Sequence, residues 1–459
     1  MSNYVAFQTR KERAIKEFEY ILQTYILPLI QHDGQLILKY EATKSTNLKQ
    51  HIKRYPKKKD VLYFFPALCT PQFHFRIKTS NPTQELGAAE AVLREIMCVS
   101  NFDYRTENFT TTNYYDKNNL YRNTRFDVAF EVGLCSWLGS KCVYELIQRL
   151  REWSQRTYEG NHMSFGFIID TTKNTTGVID YLSFLKSNHS AVFTDGMSSG
   201  IKLDSEGRIV KYFSAMQERA TSNKSHTPWT PYDFVDFTNM CHSENGSNWI
   251  GVIMQSNGDM LIFKSRQLVF VKRNGRWMYL DSYTIHTALE SKYKGKDVFG
   301  EKRFADAIYL SALDTSFAHT GGCVAIIDDQ YIDIVQRQCF PKDSLDNEDS
   351  LSEKKSIIKR LISTGSIDGE KQYFQYLDRK LRLELLSLDG ATVLDSSGKI
   401  LCVGAIVKVD SGSDEGGRMA AAKELAKYGL AMKISMDGSI QCFASPDINS
   451  EPVELFKTL

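Results

Sequence analysis

Two apolar runs, FGFIID at residues 165–170 and CVAIID at 323–328, constrain this chain most. Each is apolar until a closing aspartate. A short run without polar alternation, bounded by turn residues, reads as a buried strand that needs covering elements. Around the second run, helical spacing is found at Arg303–Leu313, Ser356–Ile362, Gln372–Leu386 and Met419–Tyr428, and strand-like runs lie between them. Helices alternating with strands predict an α/β domain.

A length of 459 residues predicts roughly three domains. The first, 1–155, is expected to be an α+β region. Glu12–Ile30 and Val143–Trp153 carry apolar residues at helical spacing, VLYFF is strand-like, and HIKRYPKKKD (His51–Asp60) and NYYDKNNLYRN (Asn113–Asn123) read as loops. The second, 156–299, is expected to be an α/β segment with a meander. AVFTDGMSSGIKLDSEGRIVKYF (Ala191–Phe213) reads as three strands separated by turns. DMLIFKSRQLVFVKRNGRWMYLD (Asp259–Asp281) reads as antiparallel strands, with Asn274-Gly275 a hairpin signal. The third is 300–459. FTDGMSSGIKLDSEGRIV in the second segment echoes LDGATVLDSSGKILCV in the third, as FGFIID echoes CVAIID. Both a duplication and two generic strand-turn-strand pieces account for the echo.

Composition narrows the class. Hydrophobic residues at 42% and charged residues at 24% are ordinary for a globular protein. Lys plus Arg (57) nearly balances Asp plus Glu (55), so net charge gives no reason to expect a nucleic-acid or membrane partner. The run YILQTYILPLI is short for a membrane span and interrupted by Gln23 and Pro28. The N-terminus has no apolar core of the signal-peptide kind, so a cytoplasmic location is expected. Nine cysteines without a C-x-x-C pair are expected to be reduced thiols.

Two stretches carry chemistry. SLDGATVLDSSGKILCVG (Ser387–Gly404) holds two turn-like words. Asp395–Gly398 is the better hairpin turn, which leaves Asp389-Gly390-Ala391 as a carboxylate followed by residues with almost no side chain. Such a place admits a nucleotide and a hard cation, Mg²⁺ or Mn²⁺. The second stretch is SGSDEG followed by GRMAAAKELAKYG. Gly416 and Gly417 open an Ala-rich helix whose free N–H groups suit phosphate, with Arg418 in the first turn. The alternative is a plain glycine loop with a solvated arginine.

In order, TGGCVAIID, LSLDGATVLDSSGKILCVGAIV and GGRMAAAKELAKYGLAMKIS-MDGSIQCF resemble the diadenylate cyclase domain, over roughly residues 300–445. The upstream WSQRTYEGNHMSFGFIID and FKSRQLVFVKRNGRWMYLD are similar to the sensor-like regions of larger members. The resemblance implies an α/β fold, a C-terminal mixed sheet flanked by helices and preceded by α+β sensor-like segments. It implies that two ATP are condensed into cyclic di-AMP with release of pyrophosphate, by self-associated domains set face to face. Carried over by position, Asp389 is the metal ligand and supports the attacking ribose hydroxyl, and Arg418 contacts phosphate. Thr320, Gly321, Gly322, Gly390, Ala391, Gly416, Gly417, Ser435 and Asp437 surround the nucleotide. Gly322 stands in an alanine place, and Met419 and Ala420 stand where the family has histidine and a second arginine. This departure keeps a second reading open, a nucleotide-binding sensor without turnover.

Overall fold

The computed structural model describes residues 20, 22–26, 29, 35–39, 52–55, 58–64, 74–78, 85–104, 115–171, 178–216, 229–241, 249–264, 267–280, 282, 285–286, 289–290, 301–340, 343–345, 353–364, 373–409 and 416–458. The fold is α/β. Its contacts group into two units, not three: residues 1–225 with 236–280, and residues 226–235 with 281–459. The expected boundary near residue 155 falls inside the first unit. Helix α3 (Lys141–Trp153) buries Val143, Leu146, Ile147, Leu150 and Trp153, the face that its apolar spacing predicts. The Trp153 ring lies 5.3 Å from that of Phe165, and its indole N–H donates to the Leu185 carbonyl at 2.6 Å.

The first unit has two sheets. One is antiparallel, in the order β1-β4-β3-β2 (Gln35–Lys39, His74–Lys78, Lys58–Phe64, Ile52–Tyr55). The basic run expected as a loop therefore lies largely in strands at 52–55 and 58–60, because β3 extends the apolar VLYFF pattern backwards into the lysines. Helix α1 (Glu85–Tyr104) packs with α2 (Tyr115–Leu138). The expected loop at 113–123 is helical from Tyr115. Propagation from the buried Phe126, Phe130, Leu134 and Leu138 carries the polar first turns with it. Of the helix expected over Glu12–Ile30, the described part is Tyr20, one π turn, Leu22–Ile26, and Leu29; the rest lies outside the described residues. The second sheet is mixed, in the order β11-β10-β9-β8-β5-β6-β7 (Arg276–Tyr279, Gln267–Arg273, Met260–Lys264, Trp249–Met254, Phe165–Asp170, Ser199–Leu203, Ile209–Ser214). The meander and the Asn274-Gly275 turn form as expected, both residues having positive φ (49° and 77°). The strand expected from Ala191 is instead a 3₁₀ turn, Asn188–Val192, capped by Ser187 accepting from the His189 N–H. Helices α4 (Tyr181–Phe184) and α5 (Val235–Met240) complete the described elements of this region.

The second unit has one mixed sheet, in the order β14-β13-β12-β15-β16-β17 (Ile400–Ala405, Ala391–Asp395, Gly322–Ile327, Gly429–Ile434, Ile440–Ala444, Val453–Thr458). Helices α6 (Glu301–Phe317), α7 (Ile332–Gln338), α8 (Glu353–Thr364), α9 (Arg379–Ser387) and α10 (Gly417–Ala426) accompany it. β12 is buried throughout, as its apolar run requires.

The two segments that echo each other share a repeated topology, although the ladders align FGFIID with GCVAII, one residue out of step with the echo of CVAIID. Reversed, the large sheet of the first unit reads β7-β6-β5-β8-β9-β10, the order of the second unit's sheet, with β11 added. The central strand is parallel to one neighbour and antiparallel to the other in both. Registers coincide: Phe167 faces Ile201 as Val324 faces Thr392, and Met254 faces Met260 as Ile434 faces Ile440. Both copies shift register at Lys202/Leu203 and Val393/Leu394, and again at Leu268/Phe270 and its counterpart beside Phe443. Asp204 accepts from the N–H groups of Glu206 and Arg208, as Asp395 does from those of Ser397 and Lys399. Bulges and side-chain-capped turns repeated at matching positions exceed what two generic pieces share.

Residues 229–235, which belong to the second unit, are held by α6 and α9. Trp229 stacks on His286 at 4.7 Å and donates to Asp306 at 2.9 Å. The Tyr232 N–H donates to Asp314 at 2.8 Å. Arg379 bridges both oxygens of the buried Asp314, at 2.8 and 2.7 Å, and donates to the Thr230 carbonyl at 2.6 Å. No described helix is long and apolar enough to cross a membrane.

Candidate functional site

Helices α6 and α9 lead directly into the two loops that carry candidate residues, 318–321 and 388–390, and Gly322 opens β12. At the end of α6, His319 turns the chain with φ 54°, and its Nδ1 lies 3.1 Å from the Met436 carbonyl. The Thr320 hydroxyl pairs with that of Ser387 at 2.8 Å, joining the two loops. α10 begins at Gly416, whose φ of 93° is open to glycine and leaves the helix with no side-chain cap. The Met419 and Ala420 N–H groups return to the Gly416 carbonyl, so the first-turn N–H groups of Gly417 and Arg418 point outward from the ladder.

These elements enclose a cavity of about 500 Å³. Asp389, Gly390, Gly416, Gly417, Arg418 and Ser435 line it, so two motifs nearly thirty residues apart meet on one cavity. Thr320, Gly321, Gly322, Ala391 and Asp437 are not among the lining residues. Gly321 still shapes the site. With φ 67°, a Cβ there would lie 2.4 Å from Arg418 Nη1, so the guanidinium rests over the bare glycine. A Cβ at Gly322 would lie 2.6 Å from the Leu386 carbonyl, which explains glycine in the alanine place: β12 presses against the end of α9. Ala391 is wholly buried in β13. Asp437 caps its own turn, where the Ser439 N–H and hydroxyl hold its carboxyl below the usual carboxylate range.

Charge in the cavity is unbalanced. Among the described residues, no carboxylate pairs with Arg418 and no hydrogen bond ties down the Asp389 carboxylate. The lining holds Arg418 and Lys433 against the single carboxylate of Asp389. An excess of cations over carboxylates beside free helix N–H groups favours an anion. Cys323 also lines the cavity, but burial pushes its thiol up to about 12, with Arg418 pulling the other way, so it stays protonated. Met419 is buried in the core between α10 and the sheet, whereas Ala420 faces the cavity. Position 419 is therefore a packing position. Ile406, Val407 and Val409 supply an apolar wall that the sequence reading did not include.

A divalent cation fits this donor set in one way. Among the described residues, no group of three His, Cys, Asp or Glu could cage a metal. Mg²⁺ and Mn²⁺ bind through one or two carboxylates with phosphates and water completing the shell. Asp389, with the Ser435 hydroxyl on the same cavity, suits a cation shared with a phosphate ligand.

The first unit keeps the Asp-Gly word but not its openness. Asp195 accepts from the N–H groups of Met197, Ser198 and Ser199 and from the hydroxyls of Ser198 and Ser199. Its carboxylate is fully engaged by its own loop. No protein-family model matches the sequence, and no curated protein matches it.

Proposed function

We propose that the second unit binds ATP in the cavity between Asp389 and Arg418 and condenses two ATP into cyclic di-AMP. The observation that carries this reading is the convergence on one cavity of a carboxylate and an arginine, neither paired among the described residues, with a glycine-opened helix start. In this scheme, the α10 N-terminus and Arg418 hold the phosphates and neutralise charge that builds on their oxygens. Asp389 receives the proton of the ribose 3′-hydroxyl. The 3′-oxygen of one ATP forms a bond to the α-phosphorus of another, and the α–β bridging bond breaks and releases pyrophosphate. A second, reciprocal condensation closes the ring. Both reactions require two sites face to face, hence self-association of the chain, which brings the reacting oxygen in line. A bound Mg²⁺ or Mn²⁺ would add electrostatic stabilisation of the phosphates. The first unit fits the regulatory, sensor-like role, since its Asp195 is engaged by its own loop.

A second reading, a nucleotide-binding sensor without turnover, is favoured by Met419 being a core residue and Ala420 offering no polar group. Incubation with ATP and Mg²⁺ or Mn²⁺, followed by product analysis, tests the first. The expected outcome is a cyclic dinucleotide that is lost in Asp389→Asn and Arg418→Ala. Calorimetric ATP binding without product favours the sensor; neither binding nor product across both metals sinks both readings.

A further inference from the structure

We infer that Lys433 is a second phosphate-contacting cation of this cavity, standing in for the polar groups absent at Met419 and Ala420; this rests on the reading of the cavity as a nucleotide site. β15 alternates, and Gly429, Ala431 and Lys433 share one face. On β12 the facing residues are Ile327, Ala325 and Cys323, and Cys323 pairs directly with Lys433. That face is covered by α10 through Met419, Ala422 and Ala426. Lys433 therefore ends an apolar row where the helix starts, on the cavity that Arg418 also lines.

The repeat provides an internal control. The position matching Lys433 in the first unit is Ile253, because Gly166 faces Ile253 as Cys323 faces Lys433. Ile253 is buried. The fold thus accepts an apolar residue at this position, and β15 interrupts its buried pattern only at the lysine. A lysine on a central strand is partly buried where its counterpart in the repeat is a wholly apolar isoleucine, so packing alone does not call for it. Among the described residues its hydrogen bond is one of 3.5 Å to the side-chain oxygen of Gln441, too long to hold it firmly. The Lys433 charge helps hold the Asp437 carboxyl low, but the hydrogen bonds of that carboxylate go to Ser439. A lysine so placed can turn to phosphate oxygens as a mobile point charge, while Arg418 offers a fixed fork.

The test is calorimetric binding of ATP and, separately, of inorganic tripolyphosphate to the full chain, in wild type, Lys433→Met, Lys433→Gln and Lys433→Arg. Thermal unfolding of each variant checks folding, and the Gln variant serves if Met fails to fold. The expected result is a loss of about tenfold or more for both ligands in the Met and Gln variants, with Arg within a few-fold of wild type. Wild-type affinity for both ligands in Lys433→Met or Lys433→Gln overturns the inference while leaving the nucleotide reading intact. Lysine-dependent binding of tripolyphosphate without ATP binding upholds the inference and removes the nucleotide reading. Binding of neither ligand by wild type overturns both.

Discussion

Replacing Gly321 by alanine tests the seat of Arg418 without touching a charge. The added Cβ would lie 2.4 Å from Nη1 and 3.3 Å from Cζ of Arg418, and 3.2 Å from the Ile434 carbonyl. Ordinary contact needs roughly 3.5 Å, so the guanidinium must retreat by about 1 Å. The backbone at φ 67° adds about 1–2 kcal/mol of strain for an L-residue. Urea unfolding without ligand should show that loss and little more. ATP affinity should fall further, since a charge-assisted hydrogen bond is worth about 1.5–3 kcal/mol, or roughly 10- to 100-fold. Gly321→Ala combined with Arg418→Ala should bind no worse than Arg418→Ala alone, because both act through the same guanidinium. Wild-type ATP affinity in Gly321→Ala, alongside weakened binding in Arg418→Ala, would refute the argument that the bare glycine seats the arginine.

Other outcomes follow from features away from the cavity. Arg379→Met should destabilise the second unit by about 3–5 kcal/mol in urea unfolding, because it strands the buried Asp314; additional replacement of Asp314 by asparagine should recover part of the loss. For Asp195, burial raises the carboxyl's pKa, but bonds from Ser198, Met197 and Ser199 outweigh it and leave it lowered. Its bonds therefore contribute stability above the unfolded pKa of about 4, lost as pH falls through the lower folded value. Asp195→Asn should flatten the acid limb of the pH–stability curve, and an unchanged limb would show the turn to be irrelevant. Cys323 should resist iodoacetamide at pH 8 in the folded protein and react once denatured, as peptide mass mapping can follow, because its thiol is held near 12.

Periodicity carried much of the fold. The all-apolar strands, the α3 face and the Asn274-Gly275 turn depend on local pattern, and local pattern is what a sequence displays. The helix at 115–123 was hidden because its polar first turns show no face, and its stability comes from the apolar residues that follow. β17 was missed because Val453–Thr458 buries only Phe456 and Thr458, and it is defined by its partner β16. The repeat was audible in the words DG and D-S-x-G but became decisive through shared bulges, which depend on pairing between distant strands. At the site, Asp389, Arg418 and the glycines were legible as motifs. Lys433 was not, since its place depends on which face of β15 the helix covers. Asp437 is read from the motif alone, and its bonds to the Ser439 N–H and hydroxyl depend on the turn it caps.

The segment clasped by Arg379 also bears on how the protein can be divided. The chain leaves the first unit after residue 225, enters the second for residues 226–235, and returns before leaving for good at residue 281. A fragment starting at 281 would contain every candidate site residue yet lack the Tyr232 N–H that donates to Asp314 and the Trp229 ring that covers His286. It would also lack the Trp229 indole that donates to Asp306 and the Thr230 carbonyl that accepts from Arg379, so α6 and α9, the helices that deliver the two site loops, both lose partners. Cutting the chain once therefore does not release an intact half. A faithful excision has to carry residues 226–235 along, tethered ahead of 281 by a linker, and inactivity of the bare fragment would say nothing about the chemistry of the cavity.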